Sequence, residues 1–353
     1  MGLVDLVALE QRASERLPAH VYDYFRATAG GPEVLTEQVA AWAAIRHRPR
    51  VLRDTSVVDT ATTVLGTRVS TPVLVAPMAQ QVAAHPRGER ETAAAAAAAG
   101  SLLGVSTNTA VPFGEIAAAG APWWFQLYVL EDRGLTEALL DRAVAAGASA
   151  LILTVDVTGL VHPRPGAGYS VEPTEWPDSP AAERLTANLP PEDAPRARGR
   201  GGRIARTLGF DAVGYLRERT ALPVVVKGVL RGDDARRVVD AGADAVLVST
   251  HGGRGLASAV PSARALAEVV DAVNGAAEVY ADSGIRSGGH IASALALGAR
   301  AVFVGRPAMW GLAVGGAQGV RIVLDGLTAE LAAAMNLLGA PTVADLTADL
   351  VAR

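Results

Sequence analysis

Of the 32 basic side chains in the sequence, 31 are arginine and one is lysine, and that single Lys227 closes the apolar run Pro223-Val-Val-Val-Lys227. A GC-rich coding bias tends to remove lysine from indifferent positions. An ammonium retained at a strand end therefore points to a site that needs a compact charge rather than a planar guanidinium. His251 stands in a comparable place, in Ser249-Thr-His-Gly-Gly-Arg254, where a second apolar run turns polar. An imidazole there can take up a proton near neutral pH, and Arg254 suits an anionic substrate. His20, His47, His85, His162 and His290 fall in helical or loop patterns, where solvated or packing roles are the simpler account. Packing competes as the account of His251 too, because His-Gly-Gly-Arg alone is a weak motif.

Two further segments suit a phosphate. Asp282-Ser-Gly284-Ile-Arg286-Ser-Gly-Gly289 leads from an apolar run into a helical pattern, and Gly305-Arg306-Pro307 ends the next run. Backbone amides at a helix start, with two guanidiniums, match a phosphate dianion. The spacing indicates a phosphate-bearing ligand without saying which.

The elements that must position these residues are short apolar runs at 73–77, 103–107, 124–129, 150–157, 223–229, 245–252, 278–284 and 301–307. Helical periodicity separates most of them, as at 135–146, 233–241 and 289–297. Such alternation predicts a parallel sheet covered by helices. A degenerate repeat, seen at 142–154, 237–249 and 294–305, ends a helix on glycine before a buried strand. With eight runs and no polar edge strand, the prediction is a (β/α)8 TIM barrel. A doubly wound sheet competes, but no Gly-x-Gly-x-x-Gly follows the first run. A barrel demands chemistry at the C-terminal strand ends, which carry Pro77-Met78-Ala79, Ser106, Gln126, Tyr128, Thr154, Asp156, Lys227, Ser249, His251, Asp282 and Gly305.

Composition narrows the rest. The 353 residues fit a single domain, 1–353, made of a barrel with an N-terminal helical extension that covers the barrel floor or packs at its side. The Pro-, Gly- and Arg-rich stretch 163–206 after the fourth strand is expected to be a mobile lid insertion. A net charge of −4 and pI near 5.9 give no reason to expect nucleic acid or a membrane as partner. Absence of cysteine excludes disulfides, thiolate metal sites and a cysteine nucleophile, and no metal is expected. No signal-peptide or membrane-span pattern is present, so a cytoplasmic location is expected.

The motifs Val21-Tyr-Asp-Tyr24-Phe, Ala76-Pro-Met-Ala79, His85-Pro-x-Gly-Glu, Gln126-Leu-Tyr128-Val-x-x-Asp-Arg133 and Leu153-Thr-Val-Asp156 occur in order. Lys227-Gly-Val, Ser249-x-His251-Gly-Gly-Arg254, Asp282-x-Gly-Ile-Arg286-x-Gly and Gly305-Arg-Pro follow. Together they resemble the FMN-dependent α-hydroxy acid oxidase/dehydrogenase family, which includes glycolate, lactate and 4-hydroxymandelate oxidases and mandelate dehydrogenase. Collinearity over essentially the whole chain carries the resemblance, not any one motif. It implies FMN as cofactor, with the 76–79 backbone (Ala76, Pro77, Met78, Ala79), Ser106, Gln126 and Thr154 lining the flavin ring. Lys227, beside Ser249, would stand at the N1–C2=O edge and stabilise reduced flavin. Asp282, Gly284, Arg286, Gly305 and Arg306 would hold the phosphate and ribityl chain. His251 would be the base, Asp156 its partner, Tyr24 and Tyr128 substrate contacts, and Arg254 the carboxylate anchor. The family also implies O2 or another electron acceptor and a homo-oligomer, by resemblance a homotetramer.

Departures from that family cluster on the substrate side. Pro163 stands where a second carboxylate-binding arginine belongs, with His162 one place early and Arg164 one place late. After Arg254 the run Gly255-Leu-Ala257 lacks polar side chains found in the family, Asn108 replaces a frequent aromatic, and Asp282-Ser283 replaces Asp-Gly. Losing one bidentate anchor weakens a simple hydroxy acid by about 1.5–3 kcal/mol per charge-assisted bond. The expected substrate is thus a bulky or aromatic 2-hydroxy acid, or its ester, amide or amino analogue. Redox-neutral isomerisation in a flavin barrel, an FMN-binding sensor without turnover, and a non-flavin phosphate-binding barrel are the alternatives.

Overall fold

The computed structural model describes residues 4–157 and 185–352. A hairpin of β1 (Thr62–Val64) and β2 (Thr67–Val69) precedes eight strands: β3 (Val73–Val75), β4 (Leu103–Ser106), β5 (Trp123–Leu127), β6 (Leu151–Thr154), β7 (Val224–Val229), β8 (Ala245–Val248), β9 (Glu278–Ala281) and β10 (Ala301–Val304). The eight pair in parallel and in chain order, and β10 closes on β3 with Val302 opposite Val73. All eight lie on the apolar runs read from the sequence, and helices fill the intervals. The TIM-barrel expectation holds.

Side chains alternate along each strand, so every second residue faces the barrel axis. Leu74, Trp124, Ile152, Val225, Leu247, Tyr280 and Phe303 form this inner file and are almost solvent-free. Trp124, Tyr280 and Phe303 meet edge-on or tilted at centroid distances of 5.4–6.0 Å. The alternate residues face the surrounding helices and build the larger outer core.

The floor is closed by a hairpin, not by helices. Val64 and Val69 join the inner file from below, and the Leu65 N–H donates to the Glu278 carboxylate at 3.2 Å. Leu65 and Gly66 both have positive φ, 43° and 78°, as a tight two-residue hairpin turn requires. The N-terminal helices α1 (Leu6–Arg16), α2 (Ala19–Arg26) and α3 (Glu33–Ala43) pack along the side and reach the open end. Asp5 caps α1 by accepting from the Val7 and Ala8 amides. The last helix, Arg306–Leu338, breaks at Gly315 and Gly316 and restarts where the Glu91 carboxylate accepts from the Ala317 N–H at 2.8 Å.

Of the segment expected as a lid, 163–184 lies outside the described residues, and so do His162 and Arg164. Residues 185–206 are docked on the barrel. Asn188 is buried, accepting from the Phe113 N–H at 2.7 Å and donating to the Val111 carbonyl at 3.0 Å. Arg196 pairs with Asp132 at 2.6 Å, and Ile204 bridges Leu130.

Candidate active site

One step beyond the apolar inner file, the same strand alternation changes chemistry. Trp124 is followed inward by Gln126 and Tyr128, Ile152 by Thr154 and Asp156, and Val225 by Lys227. Leu247 is followed by Ser249, Tyr280 by Asp282 and Phe303 by Gly305. Core packing and site are thus successive layers of one set of positions. They surround a cavity of about 1060 Å³, open mouth included, at the C-terminal end of the barrel. All the expected site residues line this cavity except Asp156 and Ser249, which stand directly behind His251 and Lys227.

The wall that runs on from Lys227 across β6, β5 and β4 is a hydrogen-bonded row. Gln126 Nε2 donates to Thr154 Oγ1 at 3.0 Å, and Gln126 Oε1 accepts from Ser106 Oγ at 3.2 Å and the Thr107 N–H at 3.3 Å. These bonds fix which face of the carboxamide is the donor. Ala76–Ala79 continues the wall on β3's loop, where Pro77 comes so close to Gly104 that a Cβ there would lie 2.7 Å from the proline ring.

Lys227 is 4% exposed and donates to Ser249 Oγ at 2.9 Å. Its ammonium lies 3.6 Å from Asp282 Oδ2 and 4.0 Å from Asp156 Oδ2. A buried ammonium persists only with such compensation. The lone lysine is therefore a built charge, linked both to the carboxylate behind His251 and to Asp282 beside the Ser283–Arg286 loop.

His251 sits in a left-handed turn with φ 56°, followed by Gly252 and Gly253 at φ 66° and 77°. That turn swings the ring back over the barrel mouth. Nδ1 lies 2.9 Å from Asp156 Oδ1, so the carboxylate accepts Nδ1–H and leaves Nε2 facing the cavity as the basic nitrogen. Burial would raise the Asp156 pKa, but the adjacent His251 and Lys227 charges and its hydrogen bonds outweigh it and hold the value down to about 2. Tyr128 is buried nearby, and burial, then the Asp156 charge, keep its phenol protonated far above the usual range. Arg254 donates to the Tyr24 carbonyl at 2.6 Å and lies over the Tyr24 ring at 4.7 Å.

At the other end, Arg286 and Arg306 enter the wall below the surface. Burial lowers Arg286 to about 10 and, with repulsion from Arg254 and Arg286, lowers Arg306 to about 9. Their hydrogen bonds go to backbone carbonyls: Arg286 to Ile285, and Arg306 to Phe25, Gly252 and Ala27 at 2.6–2.9 Å. Carbonyls do not neutralise the positive charge and Glu10 offsets only part of it, which favours a dianion beside them. Of the two helices that start here, Gly288–Ala296 directs its first amides elsewhere, Gly288 to Glu330 and His290 to Ser287. The Gly305–Arg306 start is the one that lines the cavity, with only Met78 and Ala76 near a Cβ at Gly305.

Sequence reasoning did not single out Phe25 or Met309, which also line the cavity, or Gln38 and Trp42 of α3 behind it, and it marked the cavity-lining Ser283 only as a departure from glycine. Met309 is one helical turn beyond Arg306, a signal available in the spacing.

A flavin mononucleotide fits these walls. It needs a donor row along one edge, a cation at its N1 side and buried cations for its phosphate, and the chain places all three around one cavity. Such a barrel defines a flavin-dependent oxidoreductase. Residues 13–353 match the family of FMN-dependent dehydrogenases, and the chain belongs to that family. An L-lactate oxidase of Nostoc sp. is 43% identical, over 97% of this chain and 96% of its own. The 4-hydroxymandelate oxidase of Amycolatopsis orientalis is 40% identical, over 97% of this chain and 96% of its own. A solved mandelate oxidase with (S)-2-phenylpropionate superposes with a TM-score of 0.86 at 38% identity, covering 99% of this chain and 98% of that one. A related mandelate oxidase variant carries an FMN adduct. FMN is the cofactor of this chain, and the non-flavin barrel is set aside.

Proposed function

We propose that the protein oxidises a bulky or aromatic 2-hydroxy acid, or its ester, amide or amino analogue, to the 2-oxo product (2-imino from an amine), with His251 as base. One observation carries the reading: the 2.9 Å contact between His251 Nδ1 and Asp156 Oδ1 at the mouth of the flavin cavity. It leaves Nε2 as the proton acceptor and a carboxylate behind it to stabilise the imidazolium that forms. The names of the relatives, lactate, 4-hydroxymandelate and mandelate oxidases, support a 2-hydroxy acid.

In this mechanism Arg254 orients the substrate carboxylate or its replacement, and Tyr24 and Tyr128 hydrogen-bond it. Tyr128, kept neutral by burial, donates and does not repel an anion. Nε2 of His251 removes the hydroxyl proton. FMN held in this cavity would supply the two-electron acceptor for the hydrogen on Cα. Lys227 Nζ would hold positive charge beside the reduced cofactor, whose electrons O2 or another acceptor would take. The arginine replaced at position 163 leaves Arg254 as the carboxylate cation supported here, which loosens the demand for a free acid.

The test is anaerobic bleaching of the yellow enzyme by lactate, glycolate, (S)-mandelate, 4-hydroxymandelate, mandelamide and methyl mandelate. Fast bleaching by the phenyl compounds and slow bleaching by glycolate is expected. Bleaching by none of them would leave isomerase or sensor roles. An oxygen electrode then identifies O2 as acceptor. Light scattering and cell fractionation test the homotetramer and the cytoplasmic location that the reading also carries.

A further inference from the structure

We propose that Ser283 is a positioning residue for His251, holding the turn that carries the base through its side-chain hydroxyl. The proposal rests on the reading of His251 as base.

The turn at residues 250–252 is built from strained backbone, because His251 itself is left-handed. Three successive amides must be satisfied there, and two serine hydroxyls take all three. The His251 N–H donates to Ser249 Oγ at 3.0 Å. The flanking Thr250 and Gly252 N–H groups both donate to Ser283 Oγ, at 3.2 Å and 3.0 Å. Ser283 Oγ in turn donates to Asp282 Oδ1 at 2.6 Å. One donor and two acceptors are the full capacity of a hydroxyl, and every one is used on the base turn or on the carboxylate beside Lys227.

The cost of this arrangement shows in the backbone. Ser283 has φ 69°, a region that disfavours a Cβ and suits glycine. A serine there relinquishes backbone ease and keeps its hydroxyl in place. The backbone around it is pinned as well: Trp42 Nε1 donates to the Ser283 carbonyl at 2.8 Å, and Ser262 Oγ lies 3.2 Å from that carbonyl. The hydroxyl therefore has a fixed origin from which to hold the turn. Ser283 makes no bond to the imidazole. Its action on the chemistry is through where the turn places Nε2.

Substitution can separate hydroxyl from strain. Ser283→Gly removes both, and Ser283→Ala removes the hydroxyl but keeps the strain. Both are expected to slow anaerobic flavin reduction by about 10–100-fold, the scale of a small misplacement of a catalytic group. The Kd for a non-reacting 2-oxo acid should change less than threefold. Only Ser283→Ala should lose thermal stability relative to Ser283→Gly. The same substitutions are then made in a His251→Ala background, where they should cost almost nothing further. Equal slowing in both backgrounds, or a Ser283→Gly enzyme as fast as the parent, would overturn the proposal. A His251→Ala enzyme as fast as the parent instead removes the base reading on which it stands, and that outcome is read from the single variant.

Discussion

Asp156 and His251 lie 95 residues apart in the chain, yet their side chains meet at 2.9 Å across the end of β7. Asp156 follows β6 and His251 follows β8, and Lys227 on the intervening strand approaches the same carboxylate at 4.0 Å. An imidazole, the carboxylate that orients it and a buried cation thus come from three adjacent strands.

Removing the proposed base tests the proton transfer. His251→Ala should slow flavin reduction by about 10²–10⁴-fold while FMN stays bound, since the phosphate end is elsewhere. Asp156→Ala should slow it less. Stopped-flow reduction under anaerobic conditions gives both numbers, and unchanged rates in His251→Ala would refute the assignment.

The acid behaviour of Asp156 has a definite sign. Its native pKa near 2 lies below the ordinary 3.8, so its charge favours folding above about pH 4, and that contribution fades as pH falls toward 2. Denaturant midpoints of the parent and Asp156→Asn should therefore converge as pH drops from 4 to 2. A constant gap across that window would show that the carboxylate is not held ionised by its neighbours.

Lys227→Met should impair both cofactor and fold. Asp282 and Asp156 would be left as buried carboxylates without their cation, a loss on the order of 3 kcal/mol. FMN affinity and the reduced form should suffer as well. Equilibrium dialysis, chemical denaturation and photoreduction together test this, and unaltered values in all three would make the lone lysine incidental.

The two deep arginines should separate in their effects. Arg286→Ala should release FMN with little loss of apoprotein stability, because its bond is to the neighbouring Ile285 carbonyl. Arg306→Ala should release FMN and also destabilise the apoprotein, because carbonyls of Phe25, Ala27 and Gly252 lose their donor. Melting curves of the apoproteins, with flavin absorbance after dialysis, separate the two. Equal melting points would contradict the contrast.

Glu89 offers a pH test outside the site. It is fully buried, and burial lifts its carboxyl to about 7, against smaller pulls from its own amide, Thr109 and Arg90. A raised carboxyl favours the folded state most below the unfolded value of 4.5, and that advantage is lost as pH rises through 7. Glu89→Gln should match the parent near pH 4.5 and become progressively more stable than it up to about pH 7. Melting temperatures measured across that range decide it, and a pH-independent difference would count against a neutral buried Glu89.

The barrel was legible because a parallel strand buried on both faces is written as an unbroken apolar run, and Ala245–Val248 and Ala301–Val304 show this plainly. The polar lining of the cavity was legible because it stands one inward step past such a run, as Lys227 does after Val225. Contacts made by the N-terminal extension were not. That Gln38 accepts from Thr250 Oγ1, or that Trp42 reaches Ser283, depends on how α3 docks, and local periodicity carries no docking register. Ser283 itself read as a departure from glycine; its meaning needed the two amides that come to it. The hairpin was missed because three-residue strands bury too few side chains to show alternation, although Leu65-Gly66 marked its turn.

The last turn of α2 gives carbonyls to both Arg254 and Arg306, so the extension is part of the vessel wall and not a handle attached to it. Occupancy of the vessel and order in the first thirty residues are consequently linked equilibria: whatever anion steadies Arg306 also steadies the chain that Arg306 grips. A protease would read that linkage directly, cutting near Ala29 in emptied protein and sparing it when filled. A chain clipped there would lose its colour while its eight strands still stood.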